Sequence, residues 1–229
     1  MKTIKTLIEG ELLKLMQDKT SLLSGVFVML VWVGISIPNA ISSELSIMNT
    51  ILFMSTMVGF FMVYLFASLI FLNEKRQKTI ETLLCAPVSL RELWLGKSIT
   101  VTILAFIGSL VSALLISIAT SILSASTILP EISLLVYLVI VLPLLLLSVS
   151  GLFGFLEFVM GMKENKILSF LVFFFIFGFF GFLNSLVRTM DWMNWIFVSV
   201  AAAITILLLG ISFYASGFIS KEKIVTTLE

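Results

Sequence analysis

A chain of 229 residues that is 60% hydrophobic and 12% charged, with a mean hydropathy of +1.20, carries about half the charge of an ordinary soluble domain and cannot cover a water-facing surface. Histidine is absent and Cys85 is the single cysteine, which excludes a Ser-His-Asp or Cys-His triad, a His-ligated metal, an internal disulfide and a cysteine metal cluster. A net charge of +1 supplies no field to recruit nucleic acid, so composition points to an all-α membrane protein with little chemistry of its own.

The first predicted element is an amphipathic helix over 1–19. Ile4, Leu7, Ile8, Leu12, Leu15 and Met16 recur at i, i+3, i+4, i+8, i+11 and i+12, while Lys2, Lys5, Glu9, Lys14 and Asp18 fall elsewhere. Such a helix suits the headgroup plane. Beyond it, six uncharged stretches are long enough to cross a bilayer: Thr20–Ser43, Leu45–Asn73, Ser98–Pro130, Ile132–Leu156, Ile167–Val187 and Trp192–Ser220. A crossing helix needs about 20 residues, and a charge at the bilayer centre costs about 2.5–3.5 kcal/mol on insertion scales. The chain therefore reads as a single transmembrane domain over 1–229, with six spans at about 21–38, 47–72, 98–123, 134–156, 167–187 and 195–219. The first of these starts too late, and has too many successors, to be a cleaved signal peptide.

Thirteen of the fourteen lysines and arginines fall in the amino-terminal segment, the 73–97 connection, the 157–166 connection and the tail. Only Arg188 lies on the other side, with Glu44, Glu131 and Asp191. The positive-inside rule then puts both termini in the cytoplasm, and the chain is expected in the plasma membrane. Trp192 and Trp195 fit an outer aromatic belt at the entry to the sixth span.

Within the third span Ser109, Ala113, Ser117 and Ser121 recur every four residues, and Ser150 and Gly154 repeat that spacing in the fourth. Small residues at this spacing mark helix-packing faces. Pro143 predicts a kink in the fourth span. Glu157 reads as an interfacial carboxylate rather than a proton relay, since no chain of acids crosses the bilayer. The fifth span is rich in phenylalanine, and Phe177 and Phe180, with the polar pair Asn184 and Ser185, are its candidates for a pathway surface.

Charge is concentrated in the connection Asn73–Lys97. Over Thr79–Leu84 a short helix would present Ile80, Leu83 and Leu84 beside Glu81, and Pro87 would end it. Ser89-x-x-Glu92 is a capping box that restarts a helix leading into the third span. A small apolar face between charged flanks can either seat in the groove of a partner or simply set topology.

The run Glu74-Lys75-Arg76, Thr79-Ile80-Glu81, Leu84, Pro87-Val88-Ser89, Glu92 and Gly96-Lys97 resembles the signature between the second and third helices of ABC-2 type transporter permeases. The amphipathic lead-in, six spans and chain length fit the same family. The resemblance implies a permease that pairs with a second copy, most simply as a homodimer, and binds two cytoplasmic ABC ATPase subunits. It places a coupling helix at Glu74–Leu84, so Glu74, Lys75, Arg76, Thr79, Ile80, Glu81, Leu83, Leu84 and Pro87 are the candidate coupling residues. ATP and Mg would be bound by the partner, and no cofactor by this chain. The brief outer connection Arg188–Asn194 departs from relatives that carry re-entrant helices there, which puts an outer gate in doubt. Gly96-Lys97-Ser98 is not the end of a P-loop, because Arg91 stands where the first glycine belongs and no strand precedes it.

Three function classes follow. The first is an exporter permease driven by a separate ATPase. The second is a mechanotransmission or immunity permease that acts on an outside or lipid-embedded partner without moving a solute. The third, an intramembrane enzyme, lacks the usual hydrolytic constellations. The apolar interior favours an amphipathic peptide, a lipid-like molecule or a drug as substrate over a polar ion.

Overall fold

The computed structural model describes residues 2–42, 47–72, 89–124, 131–160, 178 and 195–219. The described residues are helical almost throughout and contain no strand. Helix α1 covers Lys2–Gln17 and α2 covers Lys19–Ser42. Helix α3 covers Ile47–Ala67 and runs into a π-helical turn at Ser68–Leu72. Helix α4 is one unbroken stretch, Leu90–Ser124. Helix α5, Ile132–Val136, passes through a second π turn, Tyr137–Val141, into α6, Leu142–Val159. Helix α7 covers Trp195–Ser216.

Four stretches are long and apolar enough to cross a membrane: Ile47–Phe71, Leu90–Leu123, Ile132–Val159 and Trp195–Ser216. A fifth candidate arises if the bent pair Lys5–Gln17 and Leu22–Pro38 counts as one span. The chain is therefore a multi-pass helical membrane protein. Apart from Gly178, the predicted span 167–187 lies outside the described residues.

The bend between α1 and α2 is 77°. Asp18 sits at this elbow, outside helical geometry, where a short polar side chain suits the start of a helix. Its Oδ1 accepts the Thr20 hydroxyl at 2.5 Å and its carbonyl accepts Leu22 N–H at 3.2 Å. Beyond the elbow α2 buries a narrow stripe, Gly25, Met29, Val33 and Ser36, and turns Leu23, Phe27, Leu30 and Ile35 outward. Such an apolar outer face is compatible with lipid, not with water.

Helix α3 is the centre of the bundle, with α2, α4 and α6 against it. Its glycine Gly59 lets α4 and α6 approach: a Cβ there would lie 2.5 Å from Ser109 Oγ and 2.9 Å from Leu146 Cδ2. The interior is polar as well as apolar, and most of its hydroxyls are satisfied along or between helices, with the buried Ser98 Oγ an exception. Thr56 Oγ1 donates to Leu52 O at 2.7 Å and lies 2.9 Å from Tyr137 Oη, so the tyrosine is the donor in that second bond. Ser150 Oγ, 2.9 Å from Thr102 Oγ1, ties α6 to α4, and both hydroxyls reach the Ser98 carbonyl.

The packing bears on the residues singled out in the third and fourth spans. The stripe predicted on the third span is only half right. Ser109 and Ala113 are buried while Ser117 and Ser121 are part-exposed, and the buried line runs Val101, Ala105, Ser109, Ser112, Ile116, Thr120. Steps of four residues drift by about 40° each on a helix of 3.6 residues per turn, so the later serines rotate off the face. Pro143, at the first turn of α6, does not break the span. A proline crowds the carbonyl four residues back, here Val139, and the π turn at Tyr137–Val141 widens the ladder at that place. Within it, Leu142 N–H returns to the Tyr137 carbonyl. Glu157 is buried among the helices, next to a Phe158 that packs edge-on against Phe71 with centroids 5.0 Å apart.

Candidate functional site

The start of α4 is where the described elements converge, and the sequence dictates how. Ser89 and Glu92 form the capping box. Ser89 N–H donates to Glu92 Oε2 at 3.2 Å, Ser89 Oγ donates to the same oxygen at 2.9 Å, and Glu92 N–H donates to Ser89 Oγ at 3.3 Å. Two amides at the free end of the helix are thereby satisfied, and the helix begins where the connection 73–88 ends.

One turn further, Trp94 is buried and joins three helices. Its indole N–H donates to the Gly151 carbonyl of α6 at 2.9 Å, and its ring meets Phe213 of α7 edge-on at 5.9 Å. Gly151 must be a glycine for this contact: a Cβ there would collide with Ser212 Oγ and lie 2.8 Å from Trp94 Cζ2. Near the end of α7 a Cβ at Gly217 would lie 3.0 Å from Arg91 Nη2, so the guanidinium packs on the backbone there.

The next residues bring in α1. Gly96 lets that helix cross closely, with Leu7 Cβ 3.4 Å from where a Cβ at 96 would stand. Lys97 follows, and its side chain is only 3% exposed. Its Nζ pairs with Glu11 Oε1 at 3.3 Å, donates to the Ile70 carbonyl at 3.4 Å and lies 5.7 Å from the centroid of Phe71. Glu11 is itself 14% exposed at the side chain. It stands in line with Leu7 and Leu15 at four-residue spacing, on the face of α1 turned toward the bundle. A charge this deep is tolerated only when paired and hydrogen-bonded.

The sequence of the protein matches the model for ABC-2 family transporter proteins over residues 7–181. The chain belongs to that family. The comparison with curated proteins found no match, and neither did the comparison with solved structures. Membership makes this ABC-2 protein a membrane permease of an ABC transporter and implies association with an ABC ATPase. The matched region begins on α1 and includes the whole 73–97 connection.

In this ABC-2 permease the candidate coupling residues Glu74, Lys75, Arg76, Thr79, Ile80, Glu81, Leu83, Leu84 and Pro87 lie outside the described residues. So do the candidate pathway residues Phe177, Phe180, Asn184 and Ser185. What the structure adds is the framework on either side of the connection: the π turn at Ser68–Leu72 before it and the capped start of α4 after it. Sequence reasoning missed the Glu11–Lys97 pair. Its signal was an acid standing in the apolar stripe of an amphipathic helix, together with the last lysine before a long uncharged run. Among the described residues, no group of three His, Cys, Asp or Glu side chains could hold a metal ion.

Proposed function

We propose that the chain is the permease subunit of an ABC-2 exporter. Two copies form the translocation pathway, each worked by a separate cytoplasmic ATPase subunit that binds ATP and Mg. The permease itself catalyses no reaction. It crosses the plasma membrane six times with both termini in the cytoplasm, and Glu74–Leu84 form the coupling helix that meets the ATPase, ended by Pro87. Closure of the ATPases pushes on that helix, and Phe177, Phe180, Asn184 and Ser185 line the pathway.

The observation that supports this reading best is the single 35-residue helix α4. It starts at a capped end directly after the connection and continues unbroken through the core. A helix is stiff on this length scale, so a displacement at its free end reaches the serine-lined middle of the bundle rather than dissipating in a loop. The 77° elbow between α1 and α2 fits an interfacial helix lying beside that end.

Co-purification of the tagged permease with its ATPase tests the proposal. Capture of an ABC ATPase that is lost on Glu81→Ala with Leu84→Ala, while the permease stays in the membrane, is the expected result. Unchanged capture and unchanged stimulation of ATP hydrolysis in that variant would overturn the coupling assignment.

A further inference from the structure

We infer that Lys97 is a positioning residue that latches the amphipathic helix α1 onto the two spans flanking the 73–88 connection, so that α1, the end of α3 and the start of α4 move as one body. Its consequence for coupling rests on the function proposed above, whereas the latch is a property of the permease alone.

The ammonium brings together groups far apart in the chain. Glu11 is 86 residues away and Ile70 is 27 residues away. Ile70 lies inside the π turn, and a carbonyl has a second lone pair free to accept from a side chain even when the helix ladder uses the first. Phe71, beneath the ammonium, is fully buried and carries the contact onward to α6 through Gly154 and Phe158.

A lysine that served only to set topology would extend its head to water, because the four-carbon stem allows it. This one turns inward and is buried. Nor does burial of an ion pair by itself argue for stability, since apolar replacements of such pairs are often as stable or more so. What a buried pair with a fixed set of partners does supply is register: it holds three elements in one arrangement and disfavours the others. The close crossing of Leu7 over Gly96 lies immediately beside the pair and is held in that register.

A disulfide placed at that crossing tests the latch. Leu7→Cys and Gly96→Cys, in a Cys85→Ser background, put two thiols where the Cβ separation is 3.4 Å, close to the roughly 3.5–4.5 Å of a disulfide. In vesicles holding the permease alone, oxidation should link them quickly with Lys97 present and at least roughly tenfold more slowly with Lys97→Met or Glu11→Gln, given the size of the penalty for breaking a buried pair. Lys97→Arg should stay near the parent rate. Equal rates in all variants would overturn the latch.

In the purified complex, Lys97→Met should leave the ATPase bound but lower permease-dependent stimulation of ATP hydrolysis by roughly tenfold. Oxidation of the cysteine pair should restore that stimulation, and reduction should abolish it again, a reversibility that a folding defect would not show. Full stimulation in Lys97→Met, or no rescue on oxidation, would overturn the positioning role. A permease that binds no ATPase, with cross-linking still slowed by Lys97→Met, would overturn the coupling reading and uphold the latch.

Discussion

Gly154→Ala isolates the packing around Phe71 on which that end of the bundle depends. A Cβ at 154 would lie 2.5 Å from Phe71 Cζ, 2.9 Å from Cε2 and 3.0 Å from Cε1. Ordinary carbon contacts are about 3.5–4.0 Å, so the ring would have to retreat by roughly 1 Å. It has little room to do so, because Phe71 is fully buried with Phe158 edge-on against it and Lys97 over its face. Over-packing of this kind costs about 1–3 kcal/mol, while alanine in place of glycine inside a helix returns up to about 1 kcal/mol. The expected net effect is a loss of about 1–2 kcal/mol. Gly210→Ala is the control, since nothing lies within 4 Å of a Cβ there; it should be neutral or stabilising by up to about 1 kcal/mol. Unfolding free energies measured by steric trapping in bicelles should therefore separate the two by about 2 kcal/mol, and Phe71→Leu should recover most of the loss in the Gly154→Ala background. Equal stability of the two alanine variants would refute the packing argument.

Ser89→Ala should loosen the first turn of α4 by about 1 kcal/mol, read as faster hydrogen exchange at the Glu92 and Leu93 amides, while Glu92→Gln, which keeps the reciprocal bond, should change it little. Thr56→Val and Tyr137→Phe should show a coupling of about 0.6 kcal/mol, at most about 1.7, in a double-mutant cycle; additivity would mean that the buried hydroxyl pair contributes nothing. Trp94→Phe removes the donor to the Gly151 carbonyl and should destabilise by about 0.5–1.5 kcal/mol, with Gly151→Ala worse because its Cβ meets both Ser212 and the Trp94 ring.

Much of the helical architecture was legible because the bilayer leaves so few options. Uncharged runs of this length have to form helices that satisfy their own backbone, and the helices at Ile47–Phe71, Leu90–Leu123, Ile132–Val159 and Trp195–Ser216 fall on four of those runs. The capping box was legible because Ser89 and Glu92 carry its chemistry in two letters. The π turns were less so: Pro143 points to one irregularity, but nothing in Ser68–Leu72 announces the other, against which Lys97 and α6 pack. The Glu11–Lys97 pair was hidden for a related reason. A lysine beside a span is counted by its side of the membrane, and only tertiary packing decides whether its head turns to water or inward. The stripe on the third span leaves the buried face at Ser117 and Ser121 because a four-residue step drifts around a helix of 3.6 residues per turn.

The central claim, that a separate ATPase drives this permease through the 73–97 connection, can be tested with the residue the chain supplies for it. Cys85 is the single cysteine and lies within that connection, so a photoactivatable maleimide attached there probes one place only. Illumination of membranes containing the assembled transporter should yield an adduct between the permease and an ABC ATPase, with a yield that changes when ATP is added. Adducts to lipid or to the permease alone, with no ATPase captured in either nucleotide condition, would contradict the account.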